Sequence, residues 1–174
     1  QNADQQKTIN DLANMVGQNA LPVSLSTALS AWADGSDMVD FDEKTGMVKL
    51  KSDLTFDKGE DSVQAAAREA LMNFSKIVNS QDAQAFDIAI VGHTDDIAIL
   101  KPETRVKHPT NWHLSAHRAI SVEKILASGG VSEKRMVVAG FGEHRPVAPN
   151  APGNRGNEKS RRVEIYIMPA KSIF

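Results

Sequence analysis

Residues Phe86–Asp96 read FDIAIVGHTDD. Phe86–Val91 is a short, nearly continuous apolar run, the pattern of a central strand covered on one or both faces. It stops at Gly92, and His93, Thr94, Asp95 and Asp96 follow at once. So abrupt a change fits a strand end with a solvated turn, a metal site, an acid/base pair or a binding pocket. The rest of the chain has to decide among them.

On either side, strand and helix periodicities alternate. Met38, Val39 and Phe41, the turn 42–46 and then Met47, Val48 and Leu50 mark a hairpin. Leu54 and Phe56 prolong that region up to a turn at 57–60. Ser62 is expected to cap a helix with Val63, Ala67, Ala70, Leu71, Phe74, Ile77 and Val78 along one stripe. Residues 95–109 form a polar loop. Thr110 or Asn111 then caps a second helix, with Leu114, Ala119, Val122, Ile125 and Leu126 facing the core and Gly129–Gly130 ending it. Met136–Phe141 is a strand, and 142–159 is a loop rich in Gly, Pro and Asn. Val163, Ile165 and Ile167 alternate with Arg162, Glu164 and Tyr166, so the last strand is expected to have one wet face. The order from Asp37 is β-β-α-β-α-β-β. It predicts an α/β two-layer sandwich, a mixed sheet with helices packed on one face.

Upstream lies a polar stretch, Gln1–Ala20, with a narrow stripe of Ile9, Leu12, Met15 and Val16. Val23–Ala33 is either a second short helix, with Val23, Leu25, Leu29 and Trp32 near one side, or a weakly ordered linker. The functional reading of residues 1–36 is an N-terminal helical arm that joins a dimer.

The 174 residues are 41% hydrophobic, enough for one domain with a real core and an appendage. A net charge of −2 gives no global field for nucleic acid or an anionic membrane. The absence of cysteine excludes a disulfide scaffold, thiolate metal sites and a cysteine nucleophile. No apolar run approaches the ~18 residues of a membrane span. The chain starts at Gln1 without a visible signal peptide, as expected of a processed chain or a fragment whose anchor is missing.

Four constellations carry possible chemistry. His113 and His117 are one helical turn apart, and His93 and Asp95 could join them. A helix-borne zinc hydrolase would need a Glu that NWHLSAH lacks. Asp95 and Asp96 are sequence neighbours, so extended backbone points them apart, and Ser115 has no nucleophile-elbow context. The expectation is therefore no enzyme, no metal and no cofactor. Asp95 at a strand end and Arg118 on the next helix can share one cleft. There the guanidinium would grip a carboxylate and Asp95 an ammonium, or the two would simply pair with each other, or Asp95 would cap its own loop. The run Lys159–Arg162 is read as a solvated strand entrance, without the aromatic interleaving of a nucleic-acid site.

Together, VGHTDD (91–96), NWHLSAHRAISVEKIL (111–126), GFGEHRPVAPN (140–150) and SRRVEIYI (160–167) resemble the OmpA-like peptidoglycan-binding domain, and SDLTFDKGE (52–60) looks like its opening segment. The resemblance covers roughly Asp37–Pro169. The domains it implies are an arm at 1–36, an OmpA-like domain at 37–169 and a tail at 170–174. The lengthened loop before TNWHLSAHRA is similar to the MotB-like stator branch of that family. A Pal-type outer-membrane lipoprotein is the alternative.

The resemblance implies that Asp95 and Arg118 hold diaminopimelate of the peptidoglycan stem peptide. Asn111, Leu114 and Thr94 would flank the pocket, with Arg161 from the arginine motif and Phe56 and Asp57 from the opening loop. It further implies a homodimer, a membrane-embedded stator partner reached through a missing N-terminal segment, and a periplasmic location with inner-membrane attachment. In this picture Val91 ends a strand at the sheet edge, Gly92 permits a turn and Asp95 stands at a pocket mouth. Ser160 departs from the family's Asn, and Pro102 and Pro109 lie in the interval between Asp95 and Arg118.

Overall fold

Alternation along the last strand decides the sheet. In a computed structural model, which describes residues 21–170, strand β5 (Arg162–Pro169) lies at the centre of a five-stranded sheet. Its neighbours are β2 (Met47–Lys51) and β3 (Phe86–His93), both antiparallel to it. Outside these lie β1 (Val39–Asp42), hairpinned to β2, and β4 (Met136–Gly140), parallel to β3. The order β1-β2-β5-β3-β4 is the expected mixed sheet. The stripe from Ile9 to Val16 lies outside the described residues.

One face of this sheet is apolar. Val48, Leu50, Val163, Ile165, Ile167, Ile88 and Ile90 point into a single core. Three helices cover it: α1 (Val23–Asp34), α3 (Ala65–Val78) and α5 (Asn111–Ser128). Each brings most of the stripe its spacing promised, although Val23, expected on that side of α1, is 82% exposed. Leu25 and Leu29 come from α1, Leu71, Phe74 and Val78 from α3, and Ala119, Val122, Ile125 and Leu126 from α5, all buried. The second half of the expected arm is thus built into the core, where Trp32 also donates to the Ala70 carbonyl at 3.0 Å.

Several local expectations are corrected. Residues Ser52–Thr55 do not prolong the hairpin but form a helical turn, α2, that tucks Phe56 inside. Ser62 does not cap α3; that helix starts at Ala65 with Gln64 at its N-cap position, and Val63 bridges back to Phe56. The polar loop holds a short helix, α4 (Pro102–Lys107), with proline in its first turn where a missing N–H costs nothing.

Strand β3 does not end at Val91 or at the sheet edge. It runs to His93, between β5 and β4. Gly92 therefore sits within a strand, and the reason for glycine is close approach. A Cβ there would stand 1.9 Å from the Ser115 carbonyl oxygen. Its register partner Gly140 meets α5 the same way, 2.6 Å from the Ala116 nitrogen. The glycine pair lets the first half of α5 rest directly on sheet backbone.

The last strand's other face is not wet. Arg162 and Glu164 are buried there, joined at 2.6 Å, and Tyr166 donates to Glu164 at 2.5 Å. Phe141 and Arg145, from the loop between β4 and β5, close over them, with Phe141 stacked on His93. Alternation misleads here because a loop, rather than a helix, supplies the cover.

Candidate binding cleft

The C-terminal end of β3, the start of α5 and the turn after α2 converge on a cleft of about 770 Å³. Phe56, Asp57, Thr94, Asp95, Asn111, Leu114, Arg118 and Arg161, all singled out from the sequence, line it together. Asp53, Lys58, Lys101 and Arg155 line it too and were not foreseen. Asp53 and Lys58 lie in the SDLTFDKGE segment, where only Phe56 and Asp57 stood out. Lys101 and Arg155 sit in loops without any periodic signal.

Asp95 is 3% exposed. One carboxylate oxygen accepts the Ile97 N–H at 3.2 Å and the other an Arg161 terminal nitrogen at 2.5 Å. Arg161 turns its remaining edge to Asp53, with two bonds of 2.8 and 2.6 Å. This guanidinium is thus shared between two carboxylates. The hydrogen bond from Arg161 holds the Asp53 carboxyl below its usual range, against the opposing effect of burial. Gly156 closes over Asp95 with a positive φ of 73°, and a side chain there would strike the carboxylate. Asn111 ties the rim together, donating to the carbonyls of Asp95 and Ile97 and to Glu143.

Arg118 is arranged otherwise. It is 5% exposed, its Nε donates to the Glu60 carbonyl at 2.9 Å, and its guanidinium lies 5.0 Å above the Phe56 ring. Among the described residues no carboxylate pairs with its terminal nitrogens. Burial pushes its pKa down to about 10, so it remains cationic at neutral pH while poorly solvated. The simple Asp95–Arg118 pair, one of the three readings open from the sequence, does not form, whereas the Ile97 bond is the loop cap that another of them expected. Asp95 is neutralised by Arg161, and Arg118 is a desolvated cation with unused donors. With Lys58, Lys101 and Arg155, the lining holds five cations against Asp53, Asp57 and Asp95. Such a cleft suits a ligand with a carboxylate and a second polar group.

The basic run at the start of β5 is correspondingly not a solvated entrance: Arg161 enters the cleft and Arg162 the buried ion pair. Ser160, in place of an asparagine, is buried and accepts the Val147 N–H at 3.3 Å, while Asn157 caps the turn before it.

The suggested His93, His113 and His117 metal set cannot assemble. His93 alternates with Gly92, so it projects from the sheet face opposite α5, where it stacks on Phe141. His113 instead bonds the Thr110 hydroxyl at 2.9 Å. Ser115 is fully buried, donating to the Trp112 carbonyl and accepting the Gly142 N–H, so it is no nucleophile.

Residues 55–161 match the OmpA family model, and the chain belongs to that family. Over 124 residues it is 30% identical to Motility protein B of Bacillus subtilis, a match covering 71% of this chain and 45% of that protein. Among solved structures, the periplasmic domain of Helicobacter pylori MotB superposes with a TM-score of 0.60 at 26% identity, covering 78% of this chain and 79% of that one. The cell wall anchor of the T6SS from Pseudomonas aeruginosa gives a TM-score of 0.67 at 25% identity, with 83% and 96% covered. The chain spans about half the length of the curated motility proteins it matches.

Proposed function

We propose that this domain is a non-catalytic peptidoglycan anchor of the motility-protein type, and that the cleft grips the diaminopimelate head group of the stem peptide. The observation that carries the reading is the buried Arg118, whose terminal nitrogens have no hydrogen-bond partner among the described residues. A ligand carboxylate in a two-pronged bond would supply the missing partner, at about 1.5–3 kcal/mol per charge-assisted bond. Asp95 uses one acceptor site on each oxygen and keeps others for an ammonium group. Thr94, Asn111, Leu114, Phe56 and Asp57 shape the walls, and Arg161 holds Asp95 in place.

The kinship with MotB periplasmic domains and with a cell wall anchor supports a periplasmic domain of a membrane-attached protein. We place it in a homodimer. Two modest sites on a polymeric wall then reinforce each other through effective concentration. An inner-membrane stator partner would be reached through a segment preceding residue 1.

Cosedimentation with purified diaminopimelate-type peptidoglycan tests this. Wild type is expected in the pellet, with folded Asp95→Ala and Arg118→Ala variants in the supernatant. Wild type left in the supernatant, with or without residues 1–20, would overturn the reading.

A further inference from the structure

Behind the cleft, three segments meet at a cluster that anchoring does not use. His108, from the end of the α4 region, is 1% exposed, and its Nδ1 lies 2.8 Å from the Nδ1 of His117 on α5. Its Nε2 is buried without a hydrogen-bond partner and stands 3.7 Å from an Asp61 carboxylate oxygen. A buried imidazole nitrogen with nothing to bond is costly, and it calls for an explanation beyond packing.

We propose that Asp61, His108 and His117 form a binding site for a zinc-class divalent cation, which clips the turn before α3, the α4 segment and α5 together. Each residue offers one donor atom, and these atoms lie within 4.8 Å of one another. Tetrahedral ligands about 2.1 Å from zinc stand roughly 3.4 Å apart, close to the 3.7 Å between His108 Nε2 and the Asp61 oxygen. Two imidazoles and one carboxylate, without thiolate, suit zinc better than calcium or magnesium. Burial lowers the His108 pKa, which favours the neutral imidazole that a metal needs. The Asp61 side chain is 36% exposed, so an ion can reach the cluster from that side.

The site is structural rather than hydrolytic. It lies beside the two points that hold Arg118: Glu60, whose carbonyl accepts Arg118 Nε, precedes Asp61, and His117 precedes Arg118. It stands whether or not the cleft takes peptidoglycan, and its test needs no cell wall.

Titration of the full 174-residue chain with zinc chloride, followed by calorimetry and thermal melting, is the experiment. One equivalent should bind and raise the melting temperature. Asp61→Asn and His117→Gln should each weaken binding at least ~10-fold, while His113→Ala binds as wild type. Cobalt(II) should give the intense visible bands of a four-coordinate site. Because His108 is buried and its replacement could unfold the domain, the Asp61 and His117 variants decide. Failure of wild type to bind one equivalent, or undiminished binding by both variants, overturns the proposal.

Discussion

Asp95 is bonded by Arg161 at 2.5 Å, while Arg118 in the same cleft has no carboxylate partner among the described residues. One cation is committed to the fold and the other is held ready. The two arginines should therefore respond oppositely to substitution.

Arg118→Met removes a desolvated charge whose pKa is pushed down to about 10. The apolar stem still covers Phe56. Replacing an uncompensated buried charge with a matched hydrophobe is commonly stabilising. The expected outcome is a gain of about 1 kcal/mol in a denaturant melt, together with lost wall binding. A loss of stability above ~1 kcal/mol would mean that the Glu60 bond and ring contact outweigh the desolvation cost.

Arg161→Ala, by contrast, strips both Asp95 and Asp53 of their partner. Breaking a buried pair on one side typically costs about 3–5 kcal/mol. Half-exposed Asp53 contributes little of that, so Asp53→Asn should cost under ~1 kcal/mol. Urea melts of the two variants compare them directly.

This contrast also shows what the sequence could and could not convey. The sheet, the core faces of α3 and α5 and the meeting of Asp95 with Arg118 in one cleft follow from periodicity and from four motifs in order. Which arginine pairs with Asp95 does not, because it depends on how β5 enters the sheet beside α2, a contact between residues 108 positions apart. The buried Arg162–Glu164 pair reads as wet in the sequence for a similar reason, since its cover is an aperiodic loop. Gly92 was legible as special but not as to why, because the partner it must avoid is the Ser115 backbone of a later helix.

Gly92→Ala puts a methyl group 1.9 Å from a carbonyl oxygen that cannot turn aside. Overpacking against backbone should cost at least ~3 kcal/mol and tilt α5 off the sheet. Gly153→Ala makes a useful control. Nothing lies within 4 Å of the added atom, so only its positive φ of 76° is penalised, by about 1 kcal/mol. Thermal melts should rank the two accordingly.

The buried face of β5 predicts an acid limb in stability. Burial pushes the Glu164 carboxyl up, but His93, Tyr166 and Arg162 together outweigh it and hold it at about 2, from the usual 4.5. A lowered carboxylate stabilises the fold fully above pH ~4.5 and ceases to do so as pH falls towards ~2. The contribution is on the order of 2 kcal/mol. Glu164→Gln should be less stable than wild type at pH 7, and the difference should vanish near pH 2. Melts between pH 2 and 7 would show whether the two curves converge.

The central claim is that free Arg118 nitrogens await a ligand carboxylate. Calorimetric titration with stem peptides carrying diaminopimelate or lysine at the third position isolates that carboxylate, since lysine keeps the ammonium group and lacks the acid. The account predicts binding of the diaminopimelate peptide, at least ~10-fold weaker binding of the lysine peptide, and no such discrimination by Arg118→Met. Equal binding of both peptides by the wild-type domain would contradict it.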